Sequence, residues 1–252
     1  MNKLNHQQTT YSNKDVDWAK QYDFYEVEFR NMYGTVSKPQ NDSHYEMLKW
    51  KGAKFLKKDK VFCEIGFSAG LTLRYALKHF GTVYGLDISP KNVEFTENEL
   101  RKEGYTNFQL YTFDLMKFDE RFENKFDVIS FIHGLEHFNG DDYLLVFNNI
   151  KKYLKPNGVF TGALPFNLPF TYRMCPHCNH VFEIDGHISI HDIDSLKKVF
   201  EENNFEVLHL DNFNLKYSLK QGNVLKTLYM LFNYYLLRKH SSSQLEFIVK
   251  PI

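Results

Sequence analysis

Residues 61–89 read VFCEIGFSAGLTLRYALKHFGTVYGLDIS. The run VFCEI is apolar almost throughout, which suits a strand buried on both faces. It breaks at a turn carrying Gly66 and Gly70, the two residues that let a backbone bend tightly without Cβ atoms in the way. The next segment has helical spacing and stops at Gly81, read as a C-cap. A second apolar run, TVYGLD, ends in Asp87. Strand, turn, helix and strand in about thirty residues make a βαβ unit, which implies a parallel sheet.

The same rhythm continues outward. FQLYTF (108–113), FDVISFI (126–132) and GVFTGAL (158–164) are further short apolar runs, and FEVLHLDNF (205–213) and SQLEFIVKPI (243–252) read as two more strands. Helical stretches separate them. The one at 89–104 opens on Ser89 as N-cap with Pro90 at its first position and stops at Gly104. The one at 141–158 sets Tyr143, Phe147, Ile150 and Leu154 on a single stripe, with Pro156 and Gly158 at its end. The fold class is therefore α/β, a doubly wound, mostly parallel seven-stranded sheet. Ahead of it, 1–15 reads as a loose arm and 16–55 as an aromatic-rich helical lid. The main domain spans 56–252, with a flap at 165–191 and an apolar helical insertion at 224–240.

The 252 residues carry 31 basic and 31 acidic side chains, so the net charge is zero. That balance argues against a chain built to neutralise nucleic-acid phosphates. The N-terminus lacks the apolar core of a secretory signal. No apolar run reaches the ~18–20 residues of a membrane span. Three cysteines make no disulfide framework, so a reduced, cytoplasmic setting is expected.

In a doubly wound sheet the ligand sits beyond the carboxyl ends of the strands, where EIGFSAG leaves the first of them. Asp87, closing the second, is set to accept from the hydroxyls of a ribose. A dinucleotide site would show GxGxxG, but here the glycines are four apart and Glu64 precedes the first. A carboxylate there would repel a pyrophosphate and suits a ligand bearing an ammonium and a sulfonium.

On these residues, with Asp114 after the third strand, FDVISFIHGLEHF at the fourth and LKPNGVFTGALP at the fifth, the chain resembles the class I S-adenosylmethionine-dependent methyltransferases over roughly 55–215. One departure is Ser68, where the family's first motif has its middle glycine. The resemblance implies S-adenosyl-L-methionine as cofactor. Glu64, Gly66 and Gly70 would line its methionine and ribose end, with Phe67 beside them. Asp87 and Ile88 would meet the ribose. Asp114 would accept from the adenine amino group, with Phe113 or Leu115 on the ring.

Methyl transfer from a sulfonium is an in-line displacement, and a hydroxyl acceptor needs a base, usually histidine near neutral pH. His133, directly off the fourth strand, and His137, one turn later, are the candidates; His137 with Glu136 reads equally well as a pair of packing and orienting residues. The tetrapeptide [DNS]PP[FYW] of nucleic-acid amino-methyltransferases is missing after that strand. The expected acceptor is therefore an oxygen of a small molecule or sugar, with surface-glycan tailoring as one setting, and not a nucleic acid. A small-molecule amine is the alternative acceptor. A non-catalytic nucleoside-binding module and an NAD-linked enzyme are the rival readings.

CPHCNHVFEIDGHISIH (175–191) offers Cys175 and Cys178 as half of a zinc site, with His187 and His191 as the other half. His187 is read in two other ways as well, as a substrate-side residue or as a loop histidine. The segment is also placed to cover the acceptor. The resemblance implies that the lid folds over the cofactor and helps choose the acceptor, and Arg30 and His44 are its polar candidates. The helix at 224–240 is expected to pack in the core or a homodimer, or to lie on a membrane surface.

Overall fold

The computed structural model describes residues 17–33, 48, 51–179, 181–212, 224, 225, 228, 229, 231, 232 and 243–252. The expected arm at 1–15, His44, His180 and most of the 224–240 helix lie outside these residues. Strands β1 (Val61–Ile65), β2 (Thr82–Asp87), β3 (Phe108–Thr112), β4 (Phe126–Ile132) and β5 (Leu154–Pro165) run parallel. A small antiparallel pair, β6 (Tyr172–Met174) and β7 (Val181–Glu183), follows as a separate hairpin. β8 (Phe205–Asp211) and β9 (Gln244–Pro251) complete the main sheet in the order β3-β2-β1-β4-β5-β9-β8, β9 lying antiparallel to both neighbours.

Register explains the two cores. Phe62 pairs with Val128 and Val128 with Val159, and with Ile248 these residues face one layer. Their chain neighbours Cys63, Ile129 and Phe160 face the other. Helices α2 (Leu71–His79) and α3 (Pro90–Lys102) cover the first face through Leu73, Ala76, Leu77 and Leu100. α4 (Gly140–Tyr153) and α5 (Ile193–Glu202) cover the second through Val146, Phe147, Ile150, Leu196 and Phe200. Each such fully buried aromatic or aliphatic side chain contributes about 1.5–3 kcal/mol relative to exposure.

Local chemistry sets most helix ends. Ser89 Oγ accepts from Asn92 N at 3.0 Å with Pro90 behind it, and Gly104 takes φ +86° to stop α3. Gly81 does not cap α2, which ends when Phe80 turns extended and bonds Ala76 O. Gly81 is required for space instead: a Cβ there would lie 2.1 Å from the Lys58 carbonyl. β5 starts at Leu154, earlier than its apolar run. Its register against β4 slips between Phe126 and Val128, where Asn157 takes φ +68°.

Helix α1 (Trp18–Tyr33) docks on α3. Asp23 accepts from Ser89 Oγ and from Lys91 N. Arg30 pairs with Glu26 and with Glu99 of α3, its guanidinium lying 5.0 Å from the Phe95 ring. Arg30 is thus a docking residue rather than an acceptor contact. Of the helical residues described between 224 and 232, Val224, Leu225, Leu228, Tyr229 and Phe232 are exposed, so this face is not core in the chain. Among the described residues no helix is long and apolar enough to cross a membrane.

Gly85, in the middle of β2, ties the sheet to the turn after β1. A Cβ there would lie 2.6 Å from Leu110 and 2.7 Å from the Phe67 ring. Gly85→Ala is expected to cost about 1–3 kcal/mol through overpacking. Denaturant unfolding reads that loss, and displaced Phe67 should weaken ligand binding in parallel.

Candidate active site

The turn after β1 is built from left-handed residues. Gly66, Ser68 and Gly70 take φ of +63°, +45° and +70°. Gly66 and Ser68 are exposed, while Phe67 between them is buried at 3%. The backbone is thereby presented outward and anchored from behind. Ser68 occupies a conformation that a side chain rarely adopts, which is why glycine suits this position. Gly66 N donates to Leu86 O, and Thr96 Oγ1 donates to the Ser68 carbonyl. Gly70 has no room for more: a Cβ would meet Thr96 Cγ2 at 2.6 Å.

Beneath the turn lies Arg74, 2% exposed. Its Nη1 donates to the carbonyls of Ala69 and Gly70 at 2.7 and 3.2 Å. Its other nitrogens meet Glu103 and Glu99. Since Glu99 also holds Arg30, one charge network joins the turn, α3 and α1.

Asp87 ends β2 with its carboxylate buried and oriented. Oδ2 accepts from Ser68 N at 2.9 Å; Oδ1 accepts from Ser89 N at 2.9 Å and Asn92 Nδ2 at 3.1 Å. Burial raises its carboxyl to about 6, against the pull of these donors and with Glu26 adding to the rise. A raised acid favours the protonated folded state. This contribution to stability, on the order of 2–3 kcal/mol, is complete below pH ~4 and lost as pH climbs to about 6. Hydroxyl binding needs the carboxylate and runs the other way. Affinity for a ribose-containing ligand is expected to be about tenfold weaker at pH 5 than at pH 7.5, measured calorimetrically.

Glu64 is buried at 3% on β1, and Ile88 is half-buried. Asp114 is partly exposed, accepting from Met116 N and pairing with Lys117 at 3.0 Å. It lines a groove of about 460 Å³ with Thr112, Phe113, Lys117 and Phe118. Phe113 and Leu115 are both in the core, and the Leu115 carbonyl accepts from Asn149.

At the end of β4, His133 stands at φ +51°, its N bonded to Ala163 O. Strain of this kind gathers at functional positions. Its Nδ1 is 3.5 Å from Glu136 Oε1, and its Nε2 meets the Gln244 amide at 2.8 Å. Glu136 is 2% exposed, and neither carboxylate oxygen has a hydrogen bond. His187 Nε2 is 3.9 Å from the same Oε1. His137 Nδ1 meets the Gly186 carbonyl at 3.0 Å, and its ring lies 5.3 Å from that of His187. Burial holds His137 below the usual imidazole value.

α1 closes over this group. Trp18 packs edge-on against His137, and the Tyr22 hydroxyl is 3.4 Å from His137 Nε2. Burial, then the carboxylates of Glu136 and Asp87, push the Tyr22 hydroxyl above its ordinary value. Tyr22 therefore stands within electrostatic reach of both ends of the site.

The flap behaves differently from the expected zinc set. Ile188 N and Ser189 N both donate to the Glu136 carbonyl, stapling the chain beside His187 to the turn after β4. His191 turns inward, 6% exposed, and its Nε2 meets Tyr143 Oη at 2.7 Å and Ser189 Oγ at 3.2 Å. Cys175 and Cys178 sit in the turn of the exposed β6–β7 hairpin. Among the described residues neither cysteine joins a group of three potential ligands; His187 does so with Glu136 and His137. Cys175, Cys178, His187 and His191 are thus not one site, because the hairpin carries the thiols outward while the histidines follow the staple inward. Amide hydrogens of Cys178 and His177 hold the Cys175 thiol below its usual range.

The sequence alone does not single out Arg74, shows Tyr22 only as one of the lid aromatics, and leaves Glu136 open as a packing or orienting residue beside His137. The available signals were Glu99 and Glu103 at helical spacing opposite an arginine, and an acid flanked by histidines.

A family described as a methyltransferase domain matches residues 42–210. No curated protein matches the sequence at a significant level. The fold is shared with a S-adenosylmethionine-dependent methyltransferase from Clostridium acetobutylicum ATCC 824, at 13% identity and a TM-score of 0.62 over 92% of this chain and 99% of that one. The [4+2]-cyclase SpnF gives 13% and 0.62 over 93% and 95%. DhpI, in complex with SAH, gives 15% and 0.58 over 92% and 91%.

Proposed function

Because this chain belongs to the class I S-adenosylmethionine-dependent methyltransferases, we propose that it transfers the methyl group of S-adenosyl-L-methionine to a hydroxyl oxygen of a small molecule or sugar. The observation that carries the choice of oxygen is His133, held off the end of β4 with Nδ1 3.5 Å from Glu136. A hydroxyl is a poor nucleophile until its proton has somewhere to go.

In this reading Asp87 accepts from the ribose hydroxyls, and the outward backbone of Gly66–Gly70 carries the methionine end. Glu64 supplies a negative field suited to the cofactor's ammonium and sulfonium. His133 takes the acceptor's proton while the oxygen lone pair forms a bond to the methyl carbon. The carbon–sulfur bond breaks, its electron pair stays on sulfur, and S-adenosylhomocysteine leaves. Trp18 and Tyr22 exclude water from this end.

The test is a transfer assay with methyl-labelled cofactor against panels of phenols, free and nucleotide-linked sugars, and amines. Label on a hydroxyl compound supports the reading. Label confined to amines replaces the acceptor and leaves the cofactor in place. Tight cofactor binding with no transfer to any panel favours a non-catalytic nucleoside-binding module.

A further inference from the structure

We propose that Glu136, His137 and His187 form a binding site for one divalent transition-metal ion at the acceptor end of the pocket. Three side-chain donors, each on one of these residues, lie within 4.8 Å of one another. A metal at about 2.0–2.2 Å from each ligand holds them about 3.0–3.5 Å apart, so the site closes by roughly 1 Å.

The independent observation is the Glu136 carboxylate. It is 2% exposed, both oxygens lack a hydrogen bond, and no lysine or arginine pairs with it among the described residues. An anion buried in that way is costly unless a cation joins it. The other groups are prepared as ligands. One ring nitrogen of His137 is held by the Gly186 carbonyl at 3.0 Å, and the second, which faces the Tyr22 hydroxyl at 3.4 Å, would exchange that contact for the metal. Such a carbonyl contact is the usual support for a metal-bound imidazole. The staple from Ile188 and Ser189 to the Glu136 carbonyl fixes His187 beside the carboxylate.

The neighbouring group Glu183, Asp185 and His187 also has ligand spacing. Its Glu183 carboxylate is already occupied by the amides of Thr171, Asp185 and His187. His187 therefore serves Glu136. Two imidazoles and one carboxylate favour zinc, cobalt or manganese over magnesium or calcium. The ion's role, which rests on the methyl-transfer reading, is to lower the pKa of a bound acceptor hydroxyl so that His133 can take its proton.

The experiment titrates chelator-treated, cofactor-free full-length protein with cobalt(II), followed by visible absorption and thermal melting. Wild type is expected to bind one equivalent without a thiolate charge-transfer band, to melt higher when loaded, and to release cobalt to zinc but not to magnesium. Glu136→Gln removes the charge and keeps the shape. It should weaken binding by more than about 100-fold and abolish the melting shift, while the apo variant melts no lower than wild type. A Cys175→Ser/Cys178→Ser double variant should bind as wild type does. Absence of cobalt binding in wild type overturns the proposal, as does binding that survives Glu136→Gln and disappears in the cysteine variant. Because no cofactor is present, failure here is separate from failure of the methyl-transfer reading, which S-adenosylhomocysteine binding tests.

Discussion

Arg74→Ala is expected to unfold about 2–4 kcal/mol more easily than wild type, read as a lower urea midpoint with an unchanged slope. The guanidinium is 2% exposed and meets Glu99 and Glu103 at 3.1 and 2.7 Å. Removing it leaves Glu103 without its arginine and Glu99 with Arg30 alone. It also frees the carbonyls of Ala69 and Gly70, which Arg74 holds from below. The loss should therefore reach function: the turn that presents its backbone to the ligand relaxes, and cofactor affinity should fall by about tenfold or more. Arg74→Lys keeps the charge without the planar fork and should recover less than half of the stability. An unchanged midpoint in Arg74→Ala would show that the network is ornamental.

His133→Asn should lower kcat by about 10²–10⁴-fold while leaving S-adenosylhomocysteine affinity within about twofold. Asparagine is the chosen replacement because it tolerates the left-handed backbone that His133 adopts at φ +51°. An alanine there would confound loss of the base with strain at the end of β4. The expected split, a slow chemical step over intact binding, is what a proton acceptor at the reacting end produces. A rate within threefold of wild type removes His133 from that role.

The parallel strands were legible because strands buried on both faces are apolar at every position, as VFCEI and TVYGLD are. Ser89, Pro90 and Gly104 marked α3 for the same local reasons that operate in the structure. Gly81 was misread because a glycine after a helix looks like a cap, and the Lys58 carbonyl that crowds it lies on a separate segment. Arg74 was invisible: an arginine within a helix reads as solvated until the acids of α3 are placed beside it. The zinc expectation failed through direction. Cys178 and His191 belong to one short segment, but the turn of the β6–β7 hairpin exposes the first, while the second is buried with its Nε2 on the Tyr143 hydroxyl. Glu136 shows the converse, because only the folded chain gathers His133, His137 and His187 around one carboxylate.

The central claim is that the turn after β1, with Asp87, holds a sulfur nucleoside. Calorimetric titration of the protein with S-adenosylmethionine, S-adenosylhomocysteine and NAD in parallel tests it most directly. The account predicts about micromolar binding of the first two, none of NAD, and at least a tenfold loss in Asp87→Ala. Binding of NAD with none of either sulfur nucleoside would contradict it.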